Sequence, residues 1–178
     1  MTEISPEKFC KAFRRAIVEL GDDAFLVNPL KASTAALRER FFPNIAGKLN
    51  LECYPSKDFY TIDAIFYKEL DLSNFPRGTY PKSIADAIEH ENKASRSHEE
   101  MYKLQLFKVP LKVLIIYEEE GTATSELLIK FEGIIRQSGF AADLLKRERQ
   151  LVIIGTPRTA KAWRYYVYTQ DGFRELVE

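Results

Sequence analysis

The amino-acid sequence predicts an α/β fold in which a central mixed β-sheet is flanked by helices on both faces. Three observations lead there. The hydrophobic period changes from helical spacing to two-residue alternation near Leu49. Three consecutive strand patterns are then followed by a helix and by Val113–Tyr117, a continuous apolar run typical of a strand buried on both faces. The element order becomes helix, helix, strand, strand, strand, helix, strand, helix, strand, strand, without any internal repeat.

Each element has its own warrant. Ser5 caps a first helix, Pro6 suits its first turn, and Phe9, Phe13, Ala16, Ile17 and Leu20 recur at helical spacing until Gly21. A second helix is expected from about Ser33 to Phe42, ended by Pro43. Leu49, Leu51 and Cys53 alternate with polar residues as a strand does. Residues 55–58 turn the chain, and 59–67, rich in aromatic and β-branched side chains, form the returning strand. Pro76, Gly78 and Pro81 mark residues 68–82 as a long connection, before a third strand from Ile84 to Glu91. Ser97 and Glu100 form a capping-box pattern ahead of Met101, Leu104 and Phe107. Leu127, Leu128, Phe131, Ile134 and Ile135 mark a further helix ended by Gly139, and residues 151–155 and 165–169 two more strands.

Composition narrows the function classes. The chain has 178 residues, 46% of them apolar, which suits one domain spanning 1–178. Within it, 1–48 hold the N-terminal helices, 49–118 the core and 119–178 a C-terminal helix and strands. Basic and acidic residues number 26 each, so a strongly basic nucleic-acid coat and an acidic disordered tail are excluded. A local basic groove is not. No apolar run approaches the ~20 residues of a membrane span, and Met1–Phe9 is polar, so a cytoplasmic protein with no membrane partner is expected. Cys10 and Cys53 are isolated, without metal-ligand spacing. No phosphate-cradling Gly-rich loop and no nucleophile elbow is present.

The chemistry-bearing pattern is acidic. Asp63 falls in an apolar stretch between Ile62 and Ala64, where a carboxylate is costly unless it is paired, hydrogen-bonded or metal-bound. At the end of the next strand, residues 88–93 read IEHENK. Period two puts Glu89, Glu91 and Lys93 on one face with Ala85 and Ala87, and Ile84, Ile88 and His90 on the other. If the two strands are neighbours, Asp63 meets the Glu89/Glu91 pair. Carboxylates with no thiolate nearby favour Mg²⁺ or Mn²⁺. Residues 49–93 carry 5 basic and 8 acidic residues, in keeping with a carboxylate-lined centre.

Asp63, then Glu91-Asn92-Lys93 at a strand end, followed by a helix and a buried strand, resembles the PD-(D/E)XK nuclease superfamily, the restriction-endonuclease-like enzymes. The resemblance spans about residues 33–118 and includes that superfamily's order of core elements, αβββαβ. It implies an endonuclease that hydrolyses DNA with Mg²⁺ or Mn²⁺ as cofactor. Asp63 and Glu91 would be metal ligands, and Lys93 the catalytic base or the group that orients the attacking water. Such domains often pair to cut both strands, which leaves a homodimer as an expectation by analogy alone. Ile62 stands where the motif has Pro. A second alignment takes Glu89 as the ligand, with Glu91 in the place of the lysine. In a third the lysine moves to the following helix, where Lys103 stands. Glu39, on the preceding helix, is the candidate to complete the site.

Plainer readings stand beside these. Asp63 also reads as a buried acid bonded to backbone or to an arginine, Glu89 and Glu91 as solvated strand-end charges, and Lys93 as an exposed turn residue. Glu99 and Lys103, four apart, suit an ordinary helix-surface pair, and Glu39 lies between Arg38 and Arg40. His90 points away from the acids, and His98 follows a cap; neither supports zinc. Lys146, Arg147, Arg149, Arg158, Lys161 and Arg164, near Trp163, Tyr165 and Tyr166, form either a nucleic-acid patch or a solvated hairpin around an aromatic core. The functional alternative from another class is a non-catalytic nucleic-acid-binding or protein-interaction module that keeps the fold without turnover.

Overall fold

The structure, a computed structural model, describes residues 4–20, 37–55, 62–71, 80–81, 83–119, 121–139, 145–156 and 162–177. Helix α1 (Pro6–Leu20) starts where expected: the Ser5 Oγ accepts the Lys8 N–H at 3.3 Å, and Phe9, Phe13 and Ala16 are buried. The second helix differs from expectation. A π-helical turn, Leu37–Phe41, leads directly into α2 (Phe42–Lys48), and Pro43 sits in the first turn of α2 rather than ending a helix. Residues 33–36 of the expected helix lie outside the described residues.

The strands follow as β1 (Glu52–Pro55), β2 (Ala64–Tyr67), β3 (Leu70–Asp71), β4 (Tyr80–Pro81) and β5 (Ile84–Glu91). Strand β1 begins later than the alternation suggested, because Leu49 and Asn50 form a turn with Asn50 at φ 56°. Asp63 is not in mid-strand; it sits at a bend immediately before β2, while residues 59–61 lie outside the described residues. The expected long connection contains the paired β3 and β4. After β5 come α3 (Ser97–Gln105), β6 (Leu111–Tyr117), α4 (Thr124–Gln137), β7 (Arg149–Gly155), β8 (Trp163–Thr169) and β9 (Gly172–Glu175). Gly139, at φ 76°, supplies the left-handed turn after α4.

The seven-stranded sheet has the order β1-β2-β5-β6-β7-β8-β9. Its centre, β5-β6-β7, is parallel, and both wings are antiparallel. Side-chain alternation divides the central strands between two cores. Val113, Ile115, Leu151 and Ile153 pack under α1 and α2 with Phe9, Phe13 and Phe41. Leu114, Ile116, Val152 and Ile154 pack under α3 and α4 with Met101, Leu104 and Phe131. Every residue from Leu111 to Ile116 is therefore buried, as the unbroken apolar run required. Among the described residues, no helix is long and apolar enough to cross a membrane.

Strand β5 is irregular at its start. Phe66 pairs with Asp86 but Tyr67 pairs with Ile84, which leaves Ala85 as an extra residue. The bulge turns Ile84 to the α3/α4 side, so the uninterrupted alternation expected from Ile84 holds only beyond it.

Candidate acidic site

Strand β2 runs antiparallel to β5 with Ala64 opposite Ile88, so the residue preceding β2 arrives at the carboxyl end of β5. Helix α3 follows β5 after one 3₁₀ turn (Ala94–Arg96) and returns across the same end of the sheet. These connections bring Asp63, Glu89 and Lys103 together. Glu89 is 1% exposed, and Lys103 Nζ lies 2.9 Å from its Oε1. Lys103 also pairs with Glu100 on its own helix. Burial, reinforced by the nearby charge of Asp63, pushes the Glu89 carboxyl up to about 9, with Lys103 opposing. Burial works against the Lys103 ammonium, yet its bonds to Glu100 and Glu89 leave its pKa above the ordinary lysine value.

Asp63 is held from two sides. Arg38, in the π-helical turn, donates from Nη2 to Oδ1 at 2.5 Å, and the backbone N–H of His90 donates to Oδ2 at 2.9 Å. Both plainer expectations for this acid, an arginine and a backbone partner, are met at once. Among the described residues, the buried Arg38 Nε has no hydrogen-bond partner, so only part of the guanidinium fork is used there.

The other site candidates lie differently. Glu91 is half-buried, and its Oε1 accepts the backbone N–H of Lys93 at 2.9 Å, bracing the turn rather than joining Glu89. Lys93 is exposed at the start of the 3₁₀ turn, and Glu39 is exposed beside Arg38. The expected Glu99–Lys103 pair is replaced by Glu100 and Glu89, because the fold offers Lys103 a buried acid that a solvated helix face lacks. The capping box is replaced as well: the Ser97 hydroxyl donates to Ala94 O at 2.6 Å, and no side chain caps α3. Among the described residues, no group of three or more Asp, Glu, His or Cys is arranged to hold a metal ion.

His90 lies on the α1 side with Nε2 3.3 Å from the Tyr117 hydroxyl, and burial pulls it down to about 4, with Asp63 opposing and Arg38 adding to the effect. It is neutral at pH 7. His98 is exposed, with Nδ1 3.0 Å from Ser95 O.

The basic cluster does not form one patch. Arg149 begins β7, whereas Arg164 pairs opposite Ile154 near that strand's end, so about 17 Å of strand separates them. Arg164 bonds Glu118 and Thr124. Trp163 and Tyr165 pack edge-on against Phe13 at 5.0 and 6.2 Å, and Tyr166 belongs to the opposite core. The aromatic residues serve the interior. Arg158 and Lys161 lie outside the described residues. A cleft of about 970 Å³ is lined by Ser5, Lys146, Arg149, Thr169, Asp171 and Arg174, at the sheet end opposite the acids. It mixes both signs of charge.

One acid escaped the sequence reading. Asp86, on β5, is fully buried, and among the described residues neither of its carboxyl oxygens has a hydrogen-bond partner. Burial raises its pKa well above the ordinary aspartate value. The reasoning applied to Asp63, a carboxylate inside an apolar strand, would have found it.

No family model matches the chain, and no curated protein does. Among solved structures, the chain is similar to the central domain of yeast acetyl-CoA carboxylase, with TM-score 0.48 and 10% identity. The alignment covers 96% of this chain and 33% of that one, so the chain spans about a third of its neighbour's length. A likeness this distant does not bear on the chemistry.

Proposed function

We propose that the chain is a divalent-metal-dependent phosphodiester hydrolase acting on DNA, built on the restriction-endonuclease-like plan. Asp63 and Glu89 would hold the cation, and Lys103 would be the positive group beside them. The observation that carries this reading is the Glu89 carboxyl, buried at a strand end with Asp63 close enough to raise its proton affinity. A hard cation would complete such an acid.

The donor set fits Mg²⁺ or Mn²⁺. Mg²⁺ is commonly held by one or two carboxylates together with water and substrate phosphate oxygens, so two acids suffice without a protein cage. When bound, the ion polarises a phosphoryl oxygen and acidifies a coordinated water. Lys103, held as an ammonium by Glu100 and Glu89, acts by charge and hydrogen bonding and not as a base. The backbone N–H of His90 fixes the orientation of Asp63. The Lys103–Glu89 contact supports joining two of the alternatives, Glu89 as ligand from the second and the helix lysine from the third, rather than the alignment built on Glu91 and Lys93.

The test is incubation with single- and double-stranded DNA in the presence of Mn²⁺, Mg²⁺ or a chelator. Metal-dependent cleavage, lost in Asp63→Asn and Glu89→Gln, is the expected result. One observation favours the non-catalytic nucleic-acid-binding module: both oxygens of Asp63 already have partners, as in a purely structural buried acid. Nucleic-acid binding without cleavage of either substrate would select that reading.

A further inference from the structure

We infer that Arg38 is a built-in counter-cation of the acidic pair, displaced from Asp63 when a divalent cation binds and then available to an anionic phosphate. The inference rests on the cation-holding role proposed above for Asp63 and Glu89. The two bonds to Asp63 differ in kind. The His90 N–H is part of the backbone of β5 and cannot leave without disturbing the sheet, whereas the Arg38 guanidinium is on a long side chain that is 32% exposed. Asp63 itself is only 12% exposed, so of the two side chains in this pair Arg38 is the one more open to solvent.

The anchoring of Arg38 allows such a movement. Leu37 and Phe41 on either side of it are 1% and 0% exposed, so the π-helical turn is fixed in the core and only the side chain is free to swing. π-Helical turns recur at functional sites. The buried, unpartnered Nε means that breaking the Asp63 bond gives up less than a full fork-on-carboxylate pair would. Lys103 is the poorer candidate for release, because Glu100 holds it whatever happens at Glu89.

Charge supplies the driving force. Arg38 already pairs with Asp63, and Lys103 with Glu89 and Glu100, so a doubly charged ion bound by Asp63 and Glu89 competes with both monovalent cations for their carboxyl partners. The cation nearer to solvent leaves at the smaller cost. Once free, a planar guanidinium matches two phosphate oxygens better than an ammonium does.

Calorimetric titration of Mn²⁺ into the full chain tests the inference. Arg38→Gln is expected to bind Mn²⁺ about three- to tenfold tighter than the unsubstituted protein, because the competing charge is gone. Equal or weaker binding by Arg38→Gln, with the unsubstituted protein binding normally, overturns the inference while leaving the cation site intact. In the unsubstituted protein, Mg²⁺ should also shift the ¹⁵N resonance of the Arg38 Nε–H, assigned by its loss in Arg38→Lys. An unmoved resonance at Mg²⁺ saturation overturns the inference even if Arg38→Gln does not fold. Absence of Mn²⁺ binding to the unsubstituted protein overturns both the cation-holding reading and the release of Arg38.

Discussion

The face of the sheet under α3 and α4 carries two buried Glu–Lys pairs that serve as a comparison with each other. Where β6 and β7 begin, Lys112, 1% exposed, meets Glu148 at 2.7 Å. Beside them Gln105 donates to Gln150 Oε1 at 3.1 Å, and Gln150 donates to the carbonyls of Lys112 and Leu151 at 3.3 and 3.2 Å. The Lys112–Glu148 contact sits beside a ladder of amide hydrogen bonds. At the other end of the sheet, Lys103 divides itself between Glu89 and Glu100, while Asp63 raises the proton affinity of Glu89. Arg38 and Lys103 there are partly open to solvent. Both arrangements carry a desolvation cost. Charge balance and closure mark the pair that serves the fold, and surplus acid beside an opening marks the one suited to a cation.

The largest expected effect breaks the balanced pair. Lys112→Met leaves Glu148 without its cation in a nearly closed site, and urea unfolding should show a loss of about 3 kcal/mol. Next is Lys103→Ala, which should lower metal-dependent DNA cleavage about 100-fold, equivalent to roughly 2.7 kcal/mol in the barrier. Glu89→Gln should move stability the opposite way from Lys112→Met. The folded-state pKa of Glu89 is raised from 4.5 to about 9, so its contribution is full below pH 4.5 and declines as pH rises toward 9. The amide removes that decline. Thermal unfolding at pH 8 should show a gain of about 1 kcal/mol, or about 3 °C, that vanishes near pH 4. The smallest effect belongs to Lys93→Ala. An exposed turn residue outside the acidic pair should change cleavage less than about threefold and stability by less than about 0.5 kcal/mol.

Much of this framework was readable where local pattern and tertiary structure agree. The run Val113–Tyr117 could be buried on both sides only in a central strand, and Asp63 beside Ile62 demanded a partner whatever its location. Readings failed where a long-range contact outranked a local rule. Glu99 is the natural helix neighbour of Lys103, but a buried acid on β5 offers a stronger field than a solvated one four residues away. Arg38 as the partner of Asp63 depends on how α2 packs against the sheet, which no local spacing encodes. The bulge at Ala85 is equally silent in the sequence. Strand β9 was legible and overlooked. Asp171-Gly172, with Gly172 at φ 98°, is a hairpin dipeptide after the aromatic run of β8.

The contrast between balanced and surplus acid rests most directly on cation affinity. Titration of Mn²⁺ into the unsubstituted protein and into Glu89→Gln at pH 8, followed by calorimetry, measures it without reference to any substrate. Binding in the sub-millimolar to millimolar range, lost in Glu89→Gln and unchanged in Lys112→Met under folded conditions, is the expected result. No heat of binding up to several millimolar Mn²⁺, or equal affinity in Glu89→Gln, would contradict it.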